Sequence, residues 1–295
     1  MATATATATP YRFFTLQVTR TRRLSPSLLR VTFAGPDLRA FASDGLDQSL
    51  SLFLPRPGQS EPVLPMEFGE GWRQTWLDVP EDVRAVMRSY TLRALRQDRH
   101  GVTTEIDIDF VLHGTEAGAE AGPEAGATPA GPASRWAAAA GAGDRVVLLG
   151  PSVADNGAIR FRPPADADLV VIWADETALP AASAILETLP AGTRARVWLE
   201  VPHAGDRTAE PVTAADADIT WLVRDEGAPT AVEAIRAARL PEAQAPYAWI
   251  AGESGCVKEL RRHLVREREI DRGRVTFVGY WRRGLSEEQL RAQAA

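Results

Sequence analysis

The chain changes rhythm partway along. In the first half, short runs rich in β-branched and aromatic residues mix apolar and polar positions: residues 13–19, 28–33, 50–54, 89–94, 105–112 and 144–149. Gly35-Pro36 ends the second run. Residues 105–111, Glu-Ile-Asp-Ile-Asp-Phe-Val, alternate strictly and predict a strand buried on one face only. Six short strands with turn residues between them predict a small antiparallel barrel. From about residue 169 the runs become continuously apolar, at 169–173, 196–201, 219–223, 247–251 and 275–278. Helical stretches at 178–189, 230–239 and 255–268 separate them. Strands buried on both faces and alternating with helices predict a parallel α/β sheet. The change falls at 161–168, where Pro163 and Pro164 sit among small polar residues. The expected units are therefore 11–163 and 164–295, after a disordered tail at 1–10.

Two segments interrupt this plan. Residues 66–87 contain Trp72 and Trp76 and predict a short helix. Residues 114–131 are nearly all Ala, Gly, Glu, Pro and Thr, too poor in apolar area to order themselves, and predict a mobile loop. A length of 295 residues exceeds what one hydrophobic core usually serves, which agrees with two domains. The net charge of -6 argues against nucleic acid as the main partner. A single cysteine, Cys256, excludes an internal disulfide, and four scattered histidines give no metal-site spacing. The Ala/Thr start lacks the basic and apolar regions of a secretory signal. No apolar run approaches the roughly 18 residues of a membrane span. The expectation is a cytoplasmic protein and a monomer, with no membrane span.

The chemistry-bearing residues are spread along both halves. On a strand, Arg88, Tyr90 and Leu92 of Arg88-Ser89-Tyr90-Thr91-Leu92-Arg93 share one side. A flavin needs a flat ring to stack on, a hydrogen bond near its N5 and cations for its pyrophosphate. Tyrosine, a hydroxyl and arginine supply these. The plain alternative is a barrel strand with solvated arginines. His113-Gly114 and Gly131-Pro132-Ala133-Ser134 flank the loop. The second of these offers small-residue amides at a helix start to an anion; a surface loop with a helix cap fits equally well. Asp175-Glu176-Thr177 lies at a strand-to-helix junction. Nicotinamide enzymes usually carry a glycine-rich turn there, and two carboxylates suit a pyrophosphate poorly. A helix start stabilised by acids is the bland reading. Ala251-Gly252-Glu253 stands at the next such junction, and Gly279-Tyr280-Trp281-Arg282-Arg283 puts two aromatics beside two arginines.

These motifs, together with Asp109-Phe110-Val111-Leu112-His113-Gly114 and Asp175-Glu176-Thr177-Ala178-Leu179-Pro180, occur here in the order found in one family. From about Phe13 to Gly284 the chain resembles the siderophore-interacting proteins. The resemblance implies a ferredoxin-reductase-like architecture: an FAD-binding barrel, then an α/β domain like those that bind NAD(P). It implies that Arg88 and Ser134 hold the pyrophosphate region, with an amide from Ala133. Tyr90 stacks on the isoalloxazine, Thr91 bonds near N5, His113 lies along the adenine or ribose side, and Trp281 closes the pocket. Ser89, Arg93, Asp109, Val111 and Gly131 complete the expected cofactor set. Asp175, Glu176, Thr177, Gly252 and Glu253 would face the electron donor, NADPH or NADH, or a ferredoxin. Arg282 and Arg283 would meet the ferric siderophore. No metal ligand and no acid–base catalyst is implied.

One departure stands out. The family often carries a lysine on the strand after an Asp-Gln pair, and here Asp47-Gln48 leads to Ser51 at that place. Arg282 or Arg283 would then have to supply the positive charge. The leading expectation is an FAD-dependent ferric-siderophore reductase. A general NAD(P)H–flavin reductase with another acceptor and a siderophore-binding protein without catalysis are the competing readings.

Overall fold

A computed structural model of the protein describes residues 10–67, 69, 71–113, 130–207, 211–285 and 289. The predicted tail (save Pro10) and nearly all of the predicted mobile loop lie outside the described residues.

The first half forms one antiparallel sheet of seven strands. They are β1 (Tyr11–Arg23), β2 (Leu28–Ala34), β3 (Ser49–Leu54), β4 (Val86–Thr91), β5 (Ala94–Gln97), β6 (Thr103–Val111) and β7 (Arg145–Pro151). Their order in the sheet is β4-β3-β7-β1-β2-β6-β5. The sheet curls so that β4 returns against β6, around a core that includes Phe14, Leu16, Phe33, Leu52, Ile108 and Phe110. Helix α1 (Trp72–Leu77) is the short helix expected within 66–87. It covers the outer face of the sheet, where Trp76 joins Phe13, Phe53 and Met87. Helix α2 (Pro132–Ala139) closes one end of the barrel through Ala133 and Ala137.

Two expectations are corrected here. The run 89–94 is not one strand. Leu92 turns into the core, its amide donating to the Gln48 carbonyl, and the Arg93 amide donates to the Asp107 carbonyl. Those two bonds divide β4 from β5. Nor is β6 half-buried, since Ile106 through Phe110 are all buried. Its polar face is covered because its carboxylates are paired, as buried charges must be. Asp107 accepts from Arg96 at 2.8 Å and from Thr32 at 2.6 Å, and Asp109 accepts from Arg30 at 2.7 and 2.8 Å.

The second half is a parallel sheet of β8 (Leu169–Ala174), β9 (Arg194–Val201), β10 (Asp216–Val223), β11 (Pro246–Glu253) and β12 (Val275–Trp281). Its order is β10-β9-β8-β11-β12. Helix α3 (Leu179–Thr188) packs on the face turned to the barrel, in one cluster with Leu28 and Val111. Helices α4 (Ala231–Ala237) and α5 (Ser254–Arg266) cover the other face. Strand order reverses between β8 and β11, and ligands of such sheets bind at the carboxyl ends of the strands there.

Two buried aspartates fix the halves together. Asp47, after β2, accepts from the Arg160 and Phe161 amides at 2.9 and 3.0 Å and from the Trp249 indole at 2.9 Å. Asp206, wholly buried, accepts from the Ser25 hydroxyl at 2.6 Å and from the Ser27 amide and hydroxyl at 2.8 and 2.9 Å.

Candidate functional site

The cleft between the two halves is bounded by β4, which packs against β6 and α2, and by β12, whose Tyr280 bonds Thr91 at the end of β4. On the barrel side Arg88 and Tyr90 extend from β4. The Tyr90 ring is half-buried and lies 4.4 Å, centroid to centroid, from Phe110, at a tilt of 45°. Phe110 in turn touches Trp136 of α2, which stacks on Phe33. The aromatic row thus runs from the barrel core to its rim and fixes the Tyr90 plane. The Arg88 guanidinium is half-buried and donates to the Met87 carbonyl at 2.8 Å. Ser89 is exposed and pairs with Ser51 on β3, so the place of the family lysine lies beside the expected flavin strand.

Opposite β4, α2 begins at Gly131 with no side-chain cap. The Ser134 hydroxyl donates to the Val111 carbonyl at 3.0 Å, tying α2 to β6. Among the described residues no side chain caps the first turn, whose amides have no acceptor within the helix. His113 follows at the mouth of the cleft. Its surroundings push its pKa down by desolvation, opposed by the Glu176 carboxylate and reinforced by the Arg224 guanidinium.

Three residues of the expected cofactor set have partners within the protein. The Thr91 hydroxyl bonds the Tyr280 phenol across the cleft, and burial pushes that phenol's pKa up. Arg93 makes a bidentate pair with Glu187 of α3 at 2.5 and 3.0 Å and also approaches Asp109. Asp109 is held by Arg30. Arg30, Asp109, Arg93 and Glu187 form a chain of charges across the domain boundary, beside a cavity of about 160 Å³.

The expected electron-donor residues are also engaged within the protein. Asp175 is 2 % exposed. One oxygen accepts from the Thr177 amide and hydroxyl at 2.9 and 2.6 Å and from the Ala178 amide at 3.3 Å. The other accepts from the Glu253 amide at 2.8 Å and the Trp281 indole at 2.7 Å. Burial and the Glu176 carboxylate push the Asp175 pKa up, to about 7, against these bonds. Glu176 is buried in a bidentate pair with Arg224 at 2.7 and 3.0 Å, and Arg224 also reaches Glu200. Glu253 caps α5 by accepting from the Cys256 amide at 2.8 Å. Gly252 has φ +147°, and a Cβ there would stand 2.5 Å from the Asp175 carboxyl. Arg282 and Arg283 are exposed at the end of β12, and the Arg283 amide donates to Glu253 at 3.3 Å.

Tyr280, Glu200 and Arg224 also join the site, with no role foreseen for them in the sequence. Tyr280 was visible beside Trp281. Nothing in the sequence marked Arg224, a lone arginine after an apolar run.

Models of known families match both halves: the siderophore-interacting FAD-binding domain over residues 17–155, and the siderophore-interacting protein over residues 167–284. The chain is also 34% identical to ferric vibriobactin reductase ViuB of Vibrio cholerae, over 92% of this chain and 90% of that protein. It belongs to the siderophore-interacting protein family.

Another relative is the NADPH-dependent ferric-chelate reductase of Escherichia coli, 31% identical over 92% of this chain and 93% of that protein. Among solved structures, the siderophore-interacting protein SipS of Aeromonas hydrophila matches with a TM-score of 0.71 at 32% identity, covering 97% of this chain and 100% of that one. A siderophore utilization protein from T. fusca matches equally, with a TM-score of 0.71 at 33% identity over 94% of this chain and 95% of that one. The ferredoxin reductase in carbazole 1,9a-dioxygenase, at 17% identity and a TM-score of 0.59 over 93% of this chain and 71% of that one, shares the fold. The barrel and parallel sheet are thus ferredoxin-reductase-like, as expected. For a siderophore-interacting protein the barrel side fits an FAD. The first turn of α2, with no side-chain cap among the described residues, suits a pyrophosphate, and Arg88 and Tyr90 lie on β4, which packs against α2. Among the described residues no helix is long and apolar enough to cross a membrane, and no three His, Cys, Asp or Glu side chains are grouped to hold a metal ion.

Proposed function

We propose that this chain is an FAD-dependent reductase of ferric siderophores, with an FAD-binding unit at 11–163 and an electron-donor unit at 164–295. The observation that carries the reading is the pairing of Arg88 and Tyr90 on β4 with the uncapped start of α2. It offers a cation, a flat ring and free amides around one cleft. The relatives named as ferric reductases add the acceptor.

An FAD held here would supply an acceptor for the two electrons of a reduced nicotinamide and a donor of single electrons, as ferric iron requires. The chain's residues hold that cofactor and control access to it. Arg88 and the Ala133 and Ser134 amides would hold its phosphates, and Tyr90 would face its ring system. Trp281, bonded to Asp175, closes the cleft from the parallel sheet. Two ferric complexes are reduced for each NADPH or NADH oxidised. Ferrous iron is a poorer match for the hard oxygen ligands of a siderophore, so it leaves. No proton transfer by a side chain is required. Exposed Arg282 and Arg283 draw the anionic complex to the rim. The protein acts as a monomer in the cytoplasm.

Mass spectrometry of the released flavin tests the cofactor, and recovery of FMN alone would refute it. Anaerobic bleaching by NADPH or NADH, followed by a panel of ferric chelates, tests the activity. A yellow protein bleached by neither nucleotide but by reduced ferredoxin would replace the donor. Failure to reduce any ferric chelate once bleached would refute the acceptor.

A further inference from the structure

Asp175 occupies the crevice where β8 and β11 part, the place such sheets normally give to a ligand. A carboxylate has about four lone-pair sites. Asp175 receives five hydrogen bonds, from Thr177 twice, Ala178, Glu253 and Trp281. It has no capacity left for a nucleotide, and its charge would repel a phosphate.

Two independent features of the neighbouring strands are matched to this carboxylate. The first is Gly252, where any side chain would collide with the Asp175 carboxyl and would also have to adopt φ +147°. The second is the end of β12. Gly252 pairs with Gly279 but Glu253 pairs with Trp281, so β12 carries one extra residue there. Such a bulge re-aims the side chain that follows it. Without it, Trp281 would share the face of Val275 and Phe277, which is turned toward α5. Tyr280 keeps the face of Val278 and reaches Thr91, and with the bulge Trp281 reaches Asp175. The Trp281 carbonyl is pinned as well, by the Ser254 hydroxyl at 2.8 Å.

We propose that Asp175 is a positioning residue: its carboxylate fixes the Trp281 indole at the flavin side of the cleft and does not bind the electron donor. This rests on the FAD reading above. Asp175→Asn keeps the shape but turns an amide NH2 toward at least one group that can only donate.

The test uses the FAD-loaded protein with ¹⁵N-labelled tryptophan, the Trp281 signal being assigned by Trp281→Phe. In Asp175→Asn the Trp281 indole resonance should move upfield. Its proton should exchange roughly tenfold to a hundredfold faster, as for one lost charge-assisted hydrogen bond. Turnover should fall with the KM for the nucleotide unchanged. Trp281→Phe should lower turnover in the same way, and the double variant should be no worse than either single one. A raised KM for the nucleotide in Asp175→Asn, with the indole signal unmoved, would make Asp175 a donor ligand and overturn the proposal. If Asp175→Asn does not fold, Trp281→Phe decides: normal turnover in that variant overturns it. If the wild-type protein takes up no FAD, the FAD reading fails, whereas the indole signal still reports on the Asp175–Trp281 bond.

Discussion

The two walls of the cleft are built from similar materials and use them in opposite ways. On the barrel wall, among the described residues, the start of α2 has no side-chain cap, and Arg88 and Tyr90 lie half-buried on β4. On the parallel-sheet wall, Asp175, Glu176 and Glu253 are bonded to the ends of the sheet's own strands and helices. Both walls stand where ligands of this architecture bind. Position at a strand end therefore does not make a polar residue a ligand. The number of its lone pairs or protons already engaged does.

The largest expected effect comes from removing what both walls share. Asp47→Ala leaves the Arg160 and Phe161 amides and the Trp249 indole buried without an acceptor. It should cost about 3 kcal/mol or more, read as a lower urea midpoint. A midpoint near wild type would mean that the walls are held apart from Asp47.

A pair of glycine substitutions sharpens the contrast. Gly252→Ala meets the Asp175 carboxyl and should cost about 2 kcal/mol in thermal unfolding. Gly131→Ala has open space and an ordinary extended backbone, and should cost less than about 1 kcal/mol. Equal losses would erase the distinction between the walls.

On the barrel wall, Arg88→Ala should weaken FAD binding by about 1.5–3 kcal/mol, through lost charge-assisted bonds to phosphate. Flavin retained fully after gel filtration and dilution would remove Arg88 from the site.

The pH dependence separates the walls again. Asp175 titrates near 7 when folded, through burial and Glu176, against about 3.9 when unfolded. The folded protein therefore binds the extra proton between those values. The contribution of Asp175 to stability is least favourable above 7 and improves as pH falls toward 4. Glu176, Glu200, Glu253, Cys256, His113 and Arg224 surround it, so the clean measurement is the difference from Asp175→Asn. Wild-type stability relative to that variant should decline as pH rises through 7, and a flat difference from pH 5 to 8 would contradict it.

The smallest effect is at the rim. Arg283→Ala should raise the KM for an anionic ferric chelate at low salt, with less change in turnover, and added salt should erase the difference. Wild-type kinetics at low salt would leave Arg283 a solvated residue.

Much of this was legible in the chain. The apolar runs at 169–173 and 247–251 became β8 and β11 because a strand covered on both faces has no place for polar residues. The pair Trp72 and Trp76 foretold α1. Pairing over distance was not legible. Alternation in 105–111 promised a wet face, and only the arrival of Arg30 and Arg96 from other strands buried it. The Asp175-Glu176 turn carried the right family signature, yet whether those carboxylates faced outward depended on Arg224 and Trp281, 48 and 106 residues later. Local sequence reports period and turn chemistry, and it is silent on which distant cation or indole will occupy a carboxylate.

The clasps at Asp47 and Asp206 also order events in time. They join residues 202 and 181 positions apart, and Trp281 lies further along still. A ribosome delivers the barrel strands, through the pairing of Tyr11 with Pro151, long before it delivers β11 and β12. The N-terminal unit can therefore form during synthesis, but the contacts of Asp47 and Asp175 with the parallel sheet form only once β11 and β12 have been made. A nascent chain stalled before β12 would present the barrel without the Tyr280 contact to Thr91 and without the Trp281 bond to Asp175.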